Sequence, residues 1–534
     1  MGNTGTRKHV VVRLVAAFVV VTTGSALAAC SGSGSATGKK SQIVVGQVAE
    51  PKSLDPAADT AVNDFRILVN IYDGLVSYAP NSLDLKPGLA KSWKVSGGGK
   101  TYTFALRHGV TFQDGTPFNA QAVKFNFDRM LVKGAPGSDT GPFPLAKQFF
   151  GEVTKVSVVD DHTVQFTLKE PYAPFLANLA YPTGLIVSPT AVEKYGKSFG
   201  HHPVGTGAFA FTSWQANQNV TLKANADYWN GKPPTKNLVF RPLPDASSRI
   251  SALKSGGADI VVEVPADNVK ELKNTDGITV QTTAGPAVWF CILNARSGPF
   301  KSKLVRQAAN YAVDKKAIVD HVLQGTATVA KGPVAPAFGD AYDDSLTGYP
   351  YNPAKAKRLL ARAGYAHGVD VTFYVTTSGS GMLEPKSMGE AIQAQLKKVG
   401  INAQIKTFEW NTYLDKVNAG LEGKADMAEM AWMTNDPGTL PFLTLRSEAF
   451  PDKQGFNSGY YSNPRVDALI NRSQVTTDPA ERNALFKQMQ PIVVKDAPWL
   501  FVANGALTAA MTDHLHGFHL HPSFDLYFQK ASIK

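Results

Sequence analysis

Residues 100–129 read KTYTFALRHGVTFQDGTPFNAQAVKFNFDR, and this stretch limits the fold more than any other. Tyr102, Phe104 and Leu106 alternate with polar neighbours, the period of a half-buried strand. Gly109 breaks that run, Val110 and Phe112 resume it, and Asp114-Gly115 is a tight-turn dipeptide. Pro117 fixes the chain, Asn119 is placed to cap a helix, and Val123, Phe127 and Met130 give the helix an apolar stripe. Strand, turn and helix in this order build scaffold. Nothing in the stretch carries catalytic chemistry.

The chain has 534 residues, room for two to four domains or one large two-lobed body. It is 43% hydrophobic and 18% charged, ordinary for a globular protein, and its 46 glycines and 33 prolines make it rich in turns. The formal charge is +11, but the basic residues are scattered, with no run interleaved with aromatics, which argues against nucleic acid as a partner. The two cysteines, Cys30 and Cys291, sit in unlike settings. Cys291 lies in an apolar run, residues 288–293, that reads as a buried strand, where a thiol acts as a small hydrophobe. Cys30 ends an apolar segment with the marks of processing.

Residues 1–29 have the form of an export signal. Arg7, Lys8 and Arg13 precede an apolar core at 14–21, too short to span a bilayer comfortably, and small residues follow. Leu27-Ala28-Ala29-Cys30 resembles the bacterial lipobox, in which the cysteine is acylated. Residues 30–41, with SGSGSATGKK at 31–40, read as a flexible tether.

Beyond it, residues 42–48 alternate as a strand, and a helix carries Phe65, Leu68, Val69 and Tyr72. Residues 153–168 read as a hairpin around Asp160-Asp161, and 245–260 as a helix then a strand. Residues 305–322 read as one helix, and Asn352 is placed to cap another at 353–364. A strand at 371–376, a helix at 389–399 and a strand at 401–407 form an α/β unit. Helices follow at 465–473 and 479–494, and the tail at 507–533 is expected to return to strands.

Enzyme signatures are missing. Gly196-Lys197-Ser198 lacks the earlier glycine of a phosphate loop, since Ala191 stands there. No Gly-x-Ser-x-Gly, His-Glu-x-x-His or Cys-x-x-Cys occurs. His514 with His516, and His519 with His521, share strand faces and are weak candidates for a soft metal; a solvated strand is the plainer reading, as for His201-His202.

The motifs taken together carry a resemblance. SLDP (53–56), YDGL (72–75), PGLAKSW (87–93), FQDGTPFNAQAV (112–123), PVGTGAF (203–209) and DYWNGKPP (227–234) follow one another in the first half. LNARSGPF (293–300), VRQAANYAVDKKAI (305–318), YNPAKAKRLLARAGY (351–365), AIQAQLKKVGINAQI (391–405), YYSNPRVDALI (460–470) and DPAERNALF (478–486) follow in the second. Across 43–530 the chain resembles the extracellular solute-binding proteins, family 5, the peptide/nickel/glutathione class serving ABC importers.

The resemblance implies an α/β, two-lobed flytrap of the class II periplasmic-binding-protein kind, with a subdomain inserted in the first lobe. By analogy lobe I takes 41–80, 200–287 and 498–534, the inserted subdomain 81–199, and lobe II 288–497. The runs at Trp289 and at Trp499-Leu500-Phe501 are then expected to be the hinge crossings.

It implies no catalysis and no cofactor. The expected partners are a short peptide or peptide-like solute, the permease and ATPase chains, and the membrane through a lipid on Cys30, with the protein a monomer. Rival readings are a receptor for a metal chelate, haem or nickel complex, or a surface chaperone or sensor.

The family's ligand positions fall on Glu50 and Lys52, on Trp410 and Tyr413, and on Glu429, Trp432, Asn435 and Asp436. Two of these depart from the peptide-binding pattern. Where peptide binders hold an amine with an aspartate, this chain has Asn435 with Asp436 next, and where some oligopeptide binders place an arginine it has Glu429. Glu429 suits a cationic group, or is a solvated or ion-paired carboxylate.

Overall fold

The computed structural model describes residues 41–377, 382, 384–453 and 455–534. The expected export signal, the expected acylation at Cys30 and nearly all of the expected tether fall outside the described residues. Two long antiparallel strands, Ile278–Leu293 and Trp499–Thr512, form the spine of an eleven-stranded sheet. The spine carries the continuous apolar sequence of strands covered on both faces: residues 285–293 are all buried.

The pairing slips between Ala284 and Ala287, at Gly285-Pro286, opposite Ala506 and Gly505. Pro286 has no N–H to donate, so the ladder is interrupted there. On one side of the slip the sheet continues through Ile260–Val262, Gln42–Gln47, Asn237–Pro242, Asn219–Ala224 and Phe209–Gln215. On the other it continues through Met427–Met433, Val369–Thr376 and Ile401–Phe408. The fold is the two-lobed α/β one, with the lobes sharing the spine strands. The runs expected as crossings, at Trp289 and Trp499, both lie in the spine, and the pairing slips a second time between Trp289 and Phe290.

Alternation then sorts the second-lobe core onto two faces. Trp289, Cys291 and Leu293 pack on one, Val288, Phe290 and Ile292 on the other. The opening stretch has its own core. Thr101–Leu106 sits in a four-stranded antiparallel sheet, and helix Ala120–Leu131 covers it with Val123 and Phe127 wholly buried. Asn119 Oδ1 accepts from Ala122 N at 3.0 Å, the expected cap.

Two stretches differ from expectation. The helix expected over 305–322 is two, Lys303–Ala312 and Lys315–His321, because Asp314 takes the N-cap of the second and accepts from Ala317 N at 3.0 Å. The tail is mostly irregular after Thr512, with only the two-residue strands Leu515–His516 and Ser532–Ile533.

The family motifs meet as structural knots. Asp55 of SLDP takes both Arg129 nitrogens, at 2.7 and 2.8 Å, with both side chains buried. Asp73 of YDGL accepts from Thr206, Tyr228 and Trp229 at 2.8 to 2.9 Å, joining three motifs far apart in sequence. Gly205 is required beside them, since a Cβ there would stand 2.2 Å from Ile71 O.

Candidate functional site

Strand Met427–Met433 ends where the spine slips, Met433 lying opposite Ala287, and so delivers Thr434, Asn435 and Asp436 to the junction of the lobes. The carboxyl ends of strands at such a junction are where α/β proteins place ligands. Helix Phe175–Ala180, packed into the core of the four-stranded sheet, approaches from the other side. Asn435 Nδ2 donates to Asn178 Oδ1 at 3.0 Å, and Asn178 in turn donates to Phe149 O at 3.0 Å and Tyr172 Oη at 3.3 Å. A second bridge runs from Ala173 N to Gln474 O at 2.7 Å.

Behind the Asn178–Asn435 contact lies a cavity. Phe65, Tyr78, Tyr181, Ser523 and Asp525 line one side, Met433, Thr434 and Asn435 the other, and Pro286 stands at the break. It leaves about 20 Å³ for the centres of water-sized molecules, room for one or two waters.

The expected site residues divide into groups. Asn435 lines the cavity. Asp436 beside it is committed elsewhere: Arg482 grips it through two bonds, Nη1 to Oδ2 at 2.5 Å and Nη2 to Oδ1 at 2.8 Å, and Gly438 N donates to Oδ1 at 2.8 Å. Trp432 faces a small slot inside the second lobe, half-buried against Phe456 at 5.5 Å, with Trp499 and Phe290 beyond.

Glu429 is fully buried on the face of Cys291, its cross-strand neighbour. Its Oε1 accepts from Thr376 N at 2.7 Å, and its Oε2 has no hydrogen-bond partner among the described residues. Burial pushes this carboxyl up to about 9, against the pull of the Thr376 N–H, so it is neutral at pH 7. The sequence suggests a carboxylate facing a cationic group, solvated or ion-paired at Glu429; its side chain is instead in the interior, with no ion pair among the described residues. The Cys291 thiol is likewise raised, by burial first and by Glu429 second.

Tyr413 is fully buried, its hydroxyl donates to Glu429 O, and its ring stacks on half-buried Trp410 at 5.9 Å. The pair therefore braces the underside of strand Met427–Met433. Glu50 accepts from Asn217 N at 2.8 Å and Trp214 Nε1 at 3.4 Å, fixing a first-lobe loop, and Lys52 is exposed nearby.

The tail histidines separate. His521 is buried, with Nε2 at 2.9 Å from Ala79 O and Nδ1 at 2.7 Å from Ser523 Oγ, while His514, His516 and His519 are exposed. Among the described residues no group of three His, Cys, Asp or Glu is placed to hold a metal ion.

Asp525 is the cavity residue that sequence reasoning missed. It is 3% exposed, and its Oδ2 accepts from Ser523 Oγ at 2.7 Å and Tyr527 Oη at 3.4 Å. Burial pushes its carboxyl up to about 6, opposed by Ser523, Arg66 and Tyr527. It sits in an irregular loop with no periodicity, so no pattern pointed to it.

Comparison with known proteins agrees with this architecture. Residues 84–452 match the model of the bacterial extracellular solute-binding proteins, family 5 Middle. The glutathione-binding protein GsiB of Shigella flexneri serotype 5b (strain 8401) is 32% identical over 501 residues, covering 92% of this chain and 94% of that one. Heme-binding protein A of Haemophilus influenzae is 34% identical over 477 residues, covering 86% of each. The solved structure of HbpA2 from Haemophilus parasuis superposes with a TM-score of 0.85 at 29% identity, covering 92% of this chain and all of that one. A two-lobed body with a closable cleft at its spine is the class of a solute-binding receptor. The chain belongs to the bacterial extracellular solute-binding proteins, family 5.

Proposed function

We propose that this protein is the substrate-binding component of an ABC importer and captures short peptides or glutathione-like solutes between its lobes. The observation that carries the reading is the cavity at the spine break, walled by Phe65, Tyr78 and Tyr181 on one side and by Met433, Thr434 and Asn435 on the other. A solute touching both walls stabilises the closed form by contacts that the open form lacks, and the permease then reads closure. The similarity to a glutathione-binding protein supports a peptide-like ligand. The protein acts without catalysis, as a monomer, and delivers to separate permease and ATPase chains.

Glutathione and a pool of di- to pentapeptides should raise the melting temperature, with about 2.7 kcal/mol of added stability at a ligand concentration 100 times Kd. The second reading, a haem or metal-chelate receptor, is favoured by the similarity to heme-binding protein A. Scanning calorimetry decides between them: a shift with haem or a nickel complex, and none with any peptide, would replace the first reading with the second.

Export and a lipid anchor at Cys30 complete the proposal. Among the described residues no helix is long and apolar enough to cross a membrane. Cys30→Ala should move the protein from the membrane fraction to the medium, read by fractionation and blotting. Unchanged membrane retention would exclude acylation as the anchor.

A further inference from the structure

Several carboxylates stand on or near the ligand positions, and two of them, Asp59 and Asp64 by Lys52, hydrogen-bond to each other. Asp436 is held by Arg482, Glu50 by Asn217 and Trp214, and Glu429 lies in the second-lobe core with its proton retained. Asp525 differs. Both of its side-chain partners, Ser523 and Tyr527, address Oδ2, and Oδ1 accepts no hydrogen bond among the described residues. The nearest cation does not complete it. Arg66 Nη1 donates to Glu263 at 2.8 Å and Asn63 at 3.1 Å, and its Nε donates to Phe524 O at 3.3 Å.

A carboxylate 3% exposed and short of partners is costly to keep ionised. Its surroundings suit a visiting cation. Phe65, Tyr78 and Tyr181 wall the same cavity, with Phe65 and Tyr181 meeting edge to face at 5.2 Å. Aromatic faces around one carboxylate attract a positive group through both charge and ring quadrupole. Asn435, opposite, is neutral and contributes no competing charge.

We infer that Asp525 is the specificity-determining residue of the cleft, receiving the ammonium group of a bound peptide-like solute on its Oδ1 within the wall of Phe65, Tyr78 and Tyr181. The inference rests on the peptide reading above and names the group of the ligand that the first lobe recognises. It moves recognition of the amine from the second lobe, where Asn435 stands, to the tail of the first. A solute anchored there draws the two lobes together through its remaining contacts with Thr434 and Asn435.

The test is isothermal calorimetry on the full mature chain with glutathione and Ala-Phe, each as the free amine and as the N-acetyl form. The free forms should bind wild type, and N-acetylation should weaken binding by about 30-fold or more. Asp525→Asn should weaken the free forms by a similar factor and leave the acetylated forms little changed, so that the two losses do not add. Should Asp525→Asn fail to fold, as judged by its circular dichroism, the acetylation comparison on wild type still decides. Equal binding of free and acetylated forms to wild type, or undiminished binding of the free forms to folded Asp525→Asn, overturns the role of Asp525 alone. Failure of every free peptide to bind wild type overturns the peptide reading, and this inference with it.

Discussion

Replacing Arg482 by methionine should lower the free energy of unfolding by about 3–5 kcal/mol, because it strips a buried carboxylate of its partner. Asp436 is 2% exposed and meets the guanidinium through two parallel bonds. Arg482 Nε also donates to Ser473 O at 2.7 Å, so the side chain ties the cleft loop to helix Pro464–Val475 as well as to its own helix, Pro479–Asp496. Methionine fills much of the volume and restores none of these bonds. Asp436→Asn should cost less, since a neutral amide still accepts from Gly438 N. The double variant Arg482→Met, Asp436→Leu should lie well above the sum of its parts, for removing both charges leaves neither stranded. Equilibrium urea unfolding of the wild type and these variants measures all three quantities. A loss below about 1 kcal/mol for Arg482→Met would show that water reaches Asp436 and screens it, as at a surface pair. The pair matters for function because Asp436 follows Asn435 directly, so its anchoring sets where the amide of Asn435 meets Asn178.

The scaffold was legible in the sequence because its signals are local. The alternation of Tyr102, Phe104 and Leu106 and the cap at Asn119 each depend on a few neighbouring residues, and both are present as read. The meaning of the family motifs was not legible, because it lies in contacts across the chain. Nothing near Asp55 announces Arg129, and nothing near Asp73 announces Tyr228. Residues 100–129 gain their role through such a contact: the last of them, Arg129, fastens the SLDP loop.

The residues that line the cavity divide along the same line. Asn435 was singled out because it sits beside a recognisable motif at the end of a strand. Asp525 was not, since an irregular tail has no period and only the folded chain shows what faces it. Glu429 was found as a position but not as an environment, because a charged letter in a sequence carries no information about burial.

Glu429 yields the second large effect, and its sign follows from linkage. An ordinary glutamate gives up its proton near pH 4.3, whereas burial keeps the proton on folded Glu429 up to about pH 9. Its contribution is therefore fully present below the unfolded pKa and is lost progressively as pH rises towards the folded value. At pH 7 the folded chain must hold a proton that the unfolded chain has released, at a cost of about 4 kcal/mol. Glutamine keeps the shape, the neutral charge and an oxygen for Thr376 N, and needs no proton. Glu429→Gln should accordingly match wild type near pH 4 and exceed it by about 4 kcal/mol at pH 7, with the gap widening to about pH 8.5. Glu429→Leu should gain less, because it removes the acceptor that Glu429 offers to the Thr376 N–H. Urea unfolding of the three proteins at about pH 5, 7 and 8.5 provides the comparison. Parallel pH profiles for wild type and Glu429→Gln would mean that the carboxylate is ionised in the folded chain, which requires a charge partner reaching Oε2 beside Cys291.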